Sequence, residues 1–426
     1  MIVEFAGPGA GTAPLTWGQA AIWDAVQKTA PDDHYFNFGR IVRIPATEPG
    51  VVLDALGRLV ERHGAFRTLV QDGGQRQHER GRLPVQAHDD PDTALAELTA
   101  ARFDYAAEWP LRASLVVRDG LVRQVVLAFC HLAADGLGAE VAVRDLRLLA
   151  LGRAPRTAAP QQLDLARWQA GPEGRHVAAR AAEHWAQAHE RMPTTMFPTQ
   201  VAAPDTPPIW RALLHSPALE LAVRALAARH ATSTSTVLLS AVAKLAGTGT
   251  SAVLPIVANR FRRETLGLVG TLSQEGLLTL DTDLPFAELL RRAVPAAMRA
   301  YRSAFHDPAD RARVVAAESA RRGEPVHPNC CFNDLRFADP GPAPCEPEEL
   351  ERALDKTTLS WPMSQDKLNC RFCVHVTPEG VSLTADTRYL PRPAIEAWLR
   401  GLESTLVEAA LAGAPTGTGL SEAGRR

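Results

Sequence analysis

From Gln124 to Gly138 the chain reads QVVLAFCHLAADGLG, and the period of its apolar positions changes within that one segment. Val125, Leu127 and Phe129 alternate with Val126, Ala128 and Cys130. Successive strand side chains point to opposite faces, so a run apolar on both faces predicts an interior strand of a sheet covered on both sides. After Asp135-Gly136 the apolar residues Leu137, Val141, Leu146 and Leu149 recur near helical spacing. Asp135 is placed to accept hydrogen bonds from the first free amides of that helix. His131 therefore falls where the strand leaves the sheet, just ahead of the helix start.

The same patterning predicts a helix from Thr16 to about Thr29 carrying Ile22, Trp23 and Val26, then a strand from Phe36 to Ile44. A second helix follows from about Pro49 to His63, with strands near Phe66 to Gln71 and Leu115 to Arg118. Beyond a helical linker the theme repeats, with a long helix Ser233 to Leu245, a strand Ala252 to Val257, and strands near Leu277 and Asn329 to Phe332. The repetition points to two α/β sandwich units. The segment Asp339 to Leu350 (DPGPAPCEPEEL) reads as an exposed loop, and residues 413–426 as a disordered tail.

A histidine at such a strand end can take up a proton near neutral pH, provided a hydrogen bond to its other nitrogen holds the neutral tautomer. The same residues also fit a core histidine bonded to a carbonyl beside an aspartate that only caps a helix. Taken alone, the residues leave both readings open. Gly136 follows Asp135 at the turn, where a positive φ is expected.

Composition narrows the class. The 426-residue chain is long enough for two domains, and 46% hydrophobic residues is ordinary for a globular protein. A net charge of -2 excludes a general nucleic-acid binder, which carries a concentrated basic excess. With no charged leader and no apolar run of membrane length, a cytoplasmic protein is expected. Six cysteines over this length form no disulfide framework. Cys330-Cys331 and Cys370-Cys373 lie in apolar strand-like runs, and a separation of three places Cys370 and Cys373 on opposite faces, so no metal site is expected.

Cys130, His131, Asp135 and Gly136 stand at the positions of the HHxxxDG signature, and the segment resembles that of the condensation-domain and chloramphenicol acetyltransferase superfamily. Cys130 replaces the first histidine. Leu15, Thr16, Gln19 and Trp23 resemble the LTxxQxxxW block of nonribosomal peptide synthetase condensation domains, and Arg62, His63, Phe66, Arg67 and Thr68 resemble RHxxLRT. Asp164, Ala166 and Trp168 look like the DYAxW block, and Pro255 to Arg260 like the family's strand ending in arginine. Gly270 to Leu278 is similar to GxFxNTLPL, with Gln274 in place of asparagine. The similarity spans nearly the whole chain, so chance likeness to one short motif is excluded.

The resemblance implies two chloramphenicol acetyltransferase-like α/β sandwich subdomains, residues 1–175 and 176–412, in a V-shaped pseudo-dimer. His131 would stand at the mouth of a tunnel as base or positioning group, with an oxyanion-binding amide next to Gly136. Asp135 would be structural, paired with Arg260 from the other subdomain. Cys130 would fill the place of a histidine as a small structural residue. A nucleophilic role for it is disfavoured, because neighbouring strand residues face opposite ways. Trp17, Gln274, His306, Asn333 and Trp361 are tunnel candidates. The implied reaction is attack by an amine or hydroxyl on an acyl or peptidyl thioester carried on the phosphopantetheine of a carrier protein, giving an amide or ester. A stand-alone monomer binding no metal or cofactor of its own is expected. Two alternatives stay open: an acyltransferase using coenzyme A, and a non-catalytic domain that recruits a partner enzyme.

Overall fold

The computed structural model describes residues 1–247, 249–262, 265–367 and 371–412. Cys370 and the expected tail 413–426 lie outside the described residues. The chain divides into two compact units. The first comprises Met1–Trp185, Val257–Gly276 and Arg302–Val314, and the second Ala186–Ile256, Leu277–Tyr301 and the described residues from Val315 onward. A single cut near residue 175 does not describe this division. The helix Pro172–Arg191 carries the first segment to Trp185, which is fully buried and donates its indole N–H to the Ser303 carbonyl at 3.1 Å. Such returns of later segments leave no periodic mark in sequence.

The first unit is built on a five-stranded sheet ordered Ile2–Ala6, Arg80–His88, Leu111–Arg118, Leu121–Phe129, Phe38–Thr47. Its pairs are antiparallel except Arg80–His88 with Leu111–Arg118. The strand Leu121–Phe129 is interior, as its two apolar faces demand. Val125, Leu127 and Phe129 pack with the helices Pro49–Arg62 and Gly136–Ala150, while Val126 and Ala128 meet Ala94 and Leu98 of the helix Pro91–Ala100. Helices on both faces leave the end of that strand as the place where its chain emerges.

In the second unit a sheet runs Thr250–Val257, Cys330–Asp334, Phe372–Thr377, Gly380–Asp386, Ile209–His215, Thr358–Gln365. Leu278–Asp281 pairs antiparallel with the first of these strands. Apolar residues of the helices Pro217–Arg229, Thr234–Ala246, Phe286–Ser303 and Arg392–Leu411 form its core against the sheet. The segment expected as a loop at Asp339 to Leu350 ends in a helix, Pro347–Leu354, that buries Leu350 and Ala353. Proline at the first helical position and Glu348 and Glu349 in the first turn favour that start, and the proline-rich composition hides it.

Candidate functional site

The strand Leu121–Phe129 ends one residue before Cys130, and the chain turns through His131 to Ala134 into the helix Gly136–Ala150. Asp135 is the N-cap and accepts the Gly138 amide on Oδ1 at 2.8 Å. The rest of its carboxylate is filled from the segment 257–276. Arg260 donates to both oxygens, Nη2 to Oδ1 at 2.7 Å and Nη1 to Oδ2 at 2.8 Å. The Leu272 amide (2.9 Å), the Ser273 amide (3.0 Å) and the Ser273 hydroxyl (2.9 Å) converge on Oδ2. Side-chain exposures of 8% for Arg260 and 2% for Asp135 make this a buried ion pair, which is stable only when further hydrogen bonds fill the carboxylate as they do here. Burial pushes the Asp135 carboxyl up, but Arg260 and the Gly138 and Leu272 amides outweigh it and hold the group below the ordinary carboxylate range. Both partners belong to the first unit, so the bridge implied between subdomains lies inside one unit.

Two glycines admit the segment that supplies those donors. A Cβ on Gly138 would lie 2.9 Å from the Gly270 carbonyl and 3.2 Å from Arg260 Nη2, and one on Gly18 would lie 2.1 Å from the Thr271 carbonyl. The backbone of residues 270–272 thus runs against the starts of two helices, where no side chain fits. Thr271 then donates its hydroxyl to the His131 carbonyl. Gln19, reciprocally capped with Thr16, donates to the Leu132 carbonyl at 3.3 Å. The opening block of the chain is therefore a brace for the turn that carries His131.

His131 is half-buried, with its ring edge-on to Phe38 at 5.6 Å and Phe36 at 6.5 Å. Its Nδ1 is closed off from solvent, which leaves the Nε2 edge to meet a ligand. Burial pushes the imidazole below its ordinary value, against the smaller upward pulls of its own carbonyl and Asp135, so the ring is neutral at pH 7. Cys130 is 2% exposed and packs with Phe103 and Leu132 against Trp23 and Tyr105. Burial pushes its thiol up to about 12, so it is a protonated core residue.

Arg62 and His63 meet the far end of the same helix. Arg62 Nε (2.8 Å) and His63 Nε2 (3.0 Å) share Oδ2 of the buried Asp145, whose Oδ1 takes Arg144. Gly136 is the first helical residue and does not adopt the positive φ expected of it. With Asp135 already extended as the N-cap, the turn is complete before Gly136, and the steric demand for glycine falls on Gly138 instead.

Gln274 and His306 are brought together in the first unit, Gln274 Nε2 donating to the His306 carbonyl at 2.9 Å. Trp17 is a core residue, 6% exposed and 4.9 Å from the Phe305 ring. Asn333 and Trp361 belong to the second unit. Asn333 is half-buried opposite His375, and Trp361 is edge-on to Trp210 at 6.1 Å, 4.5 Å from the Arg392 guanidinium. The sequence reading missed Gly18, Gly138, Asp145, Thr271 and Ser273 as parts of the site. The paired glycines in DGLG and the hydroxyls in GTLSQ are its only local traces.

His131 thus stands at a strand end of an α/β unit, on a turn whose following residue, Asp135, is fixed by a buried ion pair with Arg260. The condensation-domain family model matches residues 10–260, and the chain belongs to that family. It is 33% identical over 288 residues to the AMB antimetabolite synthetase AmbB of Pseudomonas aeruginosa, covering 62% of this chain and 23% of that protein. The chain thus spans less than a quarter of that relative's length. Among solved structures it is similar to one of condensation domain-mediated chain release from the enacyloxin polyketide synthase (TM-score 0.68, 19% identity, covering 99% of this chain and 86% of that one). It is also similar to the X-domain from teicoplanin biosynthesis (TM-score 0.69, 16% identity, 96% and 97% covered). Among the described residues no group of three or more His, Cys, Asp or Glu is placed to hold a metal ion, and no helix is long and apolar enough to cross a membrane.

Proposed function

We propose that the chain forms an amide, or less readily an ester, by passing an acyl group from the phosphopantetheine thioester of a carrier protein to an amine or hydroxyl. The observation that carries this reading is the neutral, half-open His131 on a turn locked by the Asp135–Arg260 pair. The nucleophile attacks the thioester carbonyl and loses a proton, which His131 Nε2 accepts or orients. The C–S bond breaks, and the pantetheine sulfur leaves as thiol after taking that proton. The thioester is already activated, so alignment and one proton transfer supply the catalysis, with no metal or nucleotide needed. His131, Asp135 and Arg260 carry the role, with Gly136 at the helix start beside the reacting centre.

AmbB is a synthetase, and the enacyloxin structure is of condensation domain-mediated chain release from a polyketide synthase, both of which support carrier-bound substrates. Acyl-loaded carrier protein incubated with amines and read by intact mass spectrometry tests the reading: the carrier loses its acyl group only when chain and acceptor are both present. Turnover with acyl coenzyme A alone would move the assignment to the second class of acyltransferase. Cys130 at the first histidine position favours one further reading, a recruiting platform without chemistry. The X-domain of teicoplanin biosynthesis, similar in fold, forms a complex with OxyB, which supports that reading. Stable binding of a partner enzyme with no transfer would support it.

A further inference from the structure

The second unit holds a cavity of about 440 Å³ at one end of its sheet, and every residue lining it belongs to that unit. Its apolar wall is made of buried core residues: Leu214 from the sheet, Leu219 and Val223 from the helix Pro217–Arg229, Leu238 from the helix Thr234–Ala246, and Val376 and Val381 from the sheet hairpin. The segment 335–341 closes one side with Phe337, which is 52% exposed. That segment is tied down at three places. The Leu335 amide donates to the Val376 carbonyl at 2.8 Å, the Asp339 carboxylate accepts the Thr234 hydroxyl at 2.8 Å and the Thr234 amide at 3.2 Å, and Arg224 Nε donates to the Gly341 carbonyl at 3.2 Å. The cavity is therefore formed before any ligand arrives, and its volume suits a small molecule.

Charged side chains of both signs line the same cavity. Arg336 is committed to Asp334, which it grips through Nε at 2.8 Å and Nη2 at 2.6 Å. Glu220 and Arg224 stand four residues apart on one helix, the spacing at which opposite charges ordinarily pair. Here they do not: Arg224 turns its Nε to the Gly341 carbonyl. Among the described residues no hydrogen bond or ion pair engages the Glu220 carboxylate, the Arg224 Nη atoms or the Glu379 carboxylate of the hairpin turn. We infer that this cavity binds a free apolar amino acid as its zwitterion, with the side chain against the leucine and valine wall, the ammonium at Glu220 and the carboxylate at Arg224. Helix positions four apart place their Cβ atoms about 5–6 Å from each other, a gap that a headgroup carrying both charges on one carbon can span. Glu379 disfavours a purely anionic ligand, and Arg224 a purely cationic one. The site goes beyond the acyl-transfer reading and does not rest on it, since His131, Asp135 and Arg260 all belong to the first unit.

The test is calorimetric binding to the full chain at neutral pH, with L-phenylalanine, 2-phenylethylamine, 3-phenylpropionate and glycine as probes. L-Phenylalanine should bind about three- to tenfold more tightly than the amine or the acid, each of which lacks one charge-assisted contact at a partly exposed site, and glycine, which lacks the apolar group, should bind weakest. Glu220→Gln should bring L-phenylalanine down to the level of 3-phenylpropionate, and Arg224→Met to the level of 2-phenylethylamine. The probe series on the unmodified protein decides the matter even if a variant fails to fold. Absence of binding by L-phenylalanine up to about 10 mM, or affinity no better than that of both single-charge analogues, overturns the inference. So does L-phenylalanine binding that neither variant alters, or a soaked crystal in which a neighbouring copy's side chain fills the cavity and the amino acid stays out. No carrier protein or thioester is present, so failure here is distinguishable from failure of acyl transfer.

Discussion

Replacing Arg260 with methionine keeps the length and apolar stem of the side chain but removes the charge that faces Asp135. The carboxylate keeps four donors, the amides of Gly138, Leu272 and Ser273 and the Ser273 hydroxyl, and loses both guanidinium bonds. Breaking a buried pair by removing one partner costs about 3–5 kcal/mol, and four surviving donors place this case near the lower end, about 3 kcal/mol. For a unit of this size that corresponds to a fall in Tm of about 6–12 °C. Urea titration followed by tryptophan fluorescence measures the loss, with Arg58→Met as the control. Arg58 stands 3.8 Å from Asp54 with side-chain exposures of 40% and 69%, a surface pair, so its loss should cost about 0–1 kcal/mol. Adding Asp135→Asn to Arg260→Met should recover part of the loss, a coupling of about 2–3 kcal/mol. A loss from Arg260→Met no larger than that from Arg58→Met would refute the reasoning, because it would mean the carboxylate does not depend on its cation.

Gly138→Ala should destabilise the first unit by about 1–3 kcal/mol through its contact with Gly270, measured by the same titration; an unchanged midpoint would show the approach is not that close. Cys130 should resist iodoacetamide at pH 8 in the native chain and react once urea exposes it, since its thiol is pushed up to about 12; rapid native labelling followed by peptide mapping would contradict this. Stability should fall as pH drops below 6.5, because the unfolded chain takes up protons that buried His306, held at about 3, refuses. By pH 5 this amounts to about 2 kcal/mol, and buried His63 adds a loss of the same sign. His306→Phe should flatten that slope, and an unaltered slope would show His306 is not its source. His131 is lowered in the same direction, so the acid limb of the transfer rate should lie below 6.5 rather than at it; a limb above 6.5 would contradict the desolvated ring.

The strand and helix flanking His131 were legible because their periods differ and both faces of the strand are apolar, which left Leu121–Phe129 no place but the sheet interior. Asp135 as N-cap followed from its position before a helical run, and the cap bond to Gly138 is where that reasoning puts it. The Asp135–Arg260 pair came only from family resemblance, since 125 residues separate the partners and no local pattern couples them. The glycine requirement was placed two residues too early, at Gly136, because the demand at Gly138 comes from the Gly270 backbone and not from its own φ. Arg62 and His63 matched a known block without their purpose being visible, since Asp145 lies on the other helix. The helix at Pro347–Leu354 was lost to composition, because proline signals a loop except at the first position of a helix, where it favours the start.

The central claim is that the neutral His131 ring manages the proton of an acyl transfer. The most direct measurement is intact mass spectrometry of an acyl-loaded carrier protein with amine, comparing the chain as it stands with His131→Ala at equal fold stability. The account predicts acceptor-dependent loss of the acyl group with the unaltered chain, and a rate lower by about 10²–10⁴-fold with the variant. Equal rates for the two proteins would contradict it.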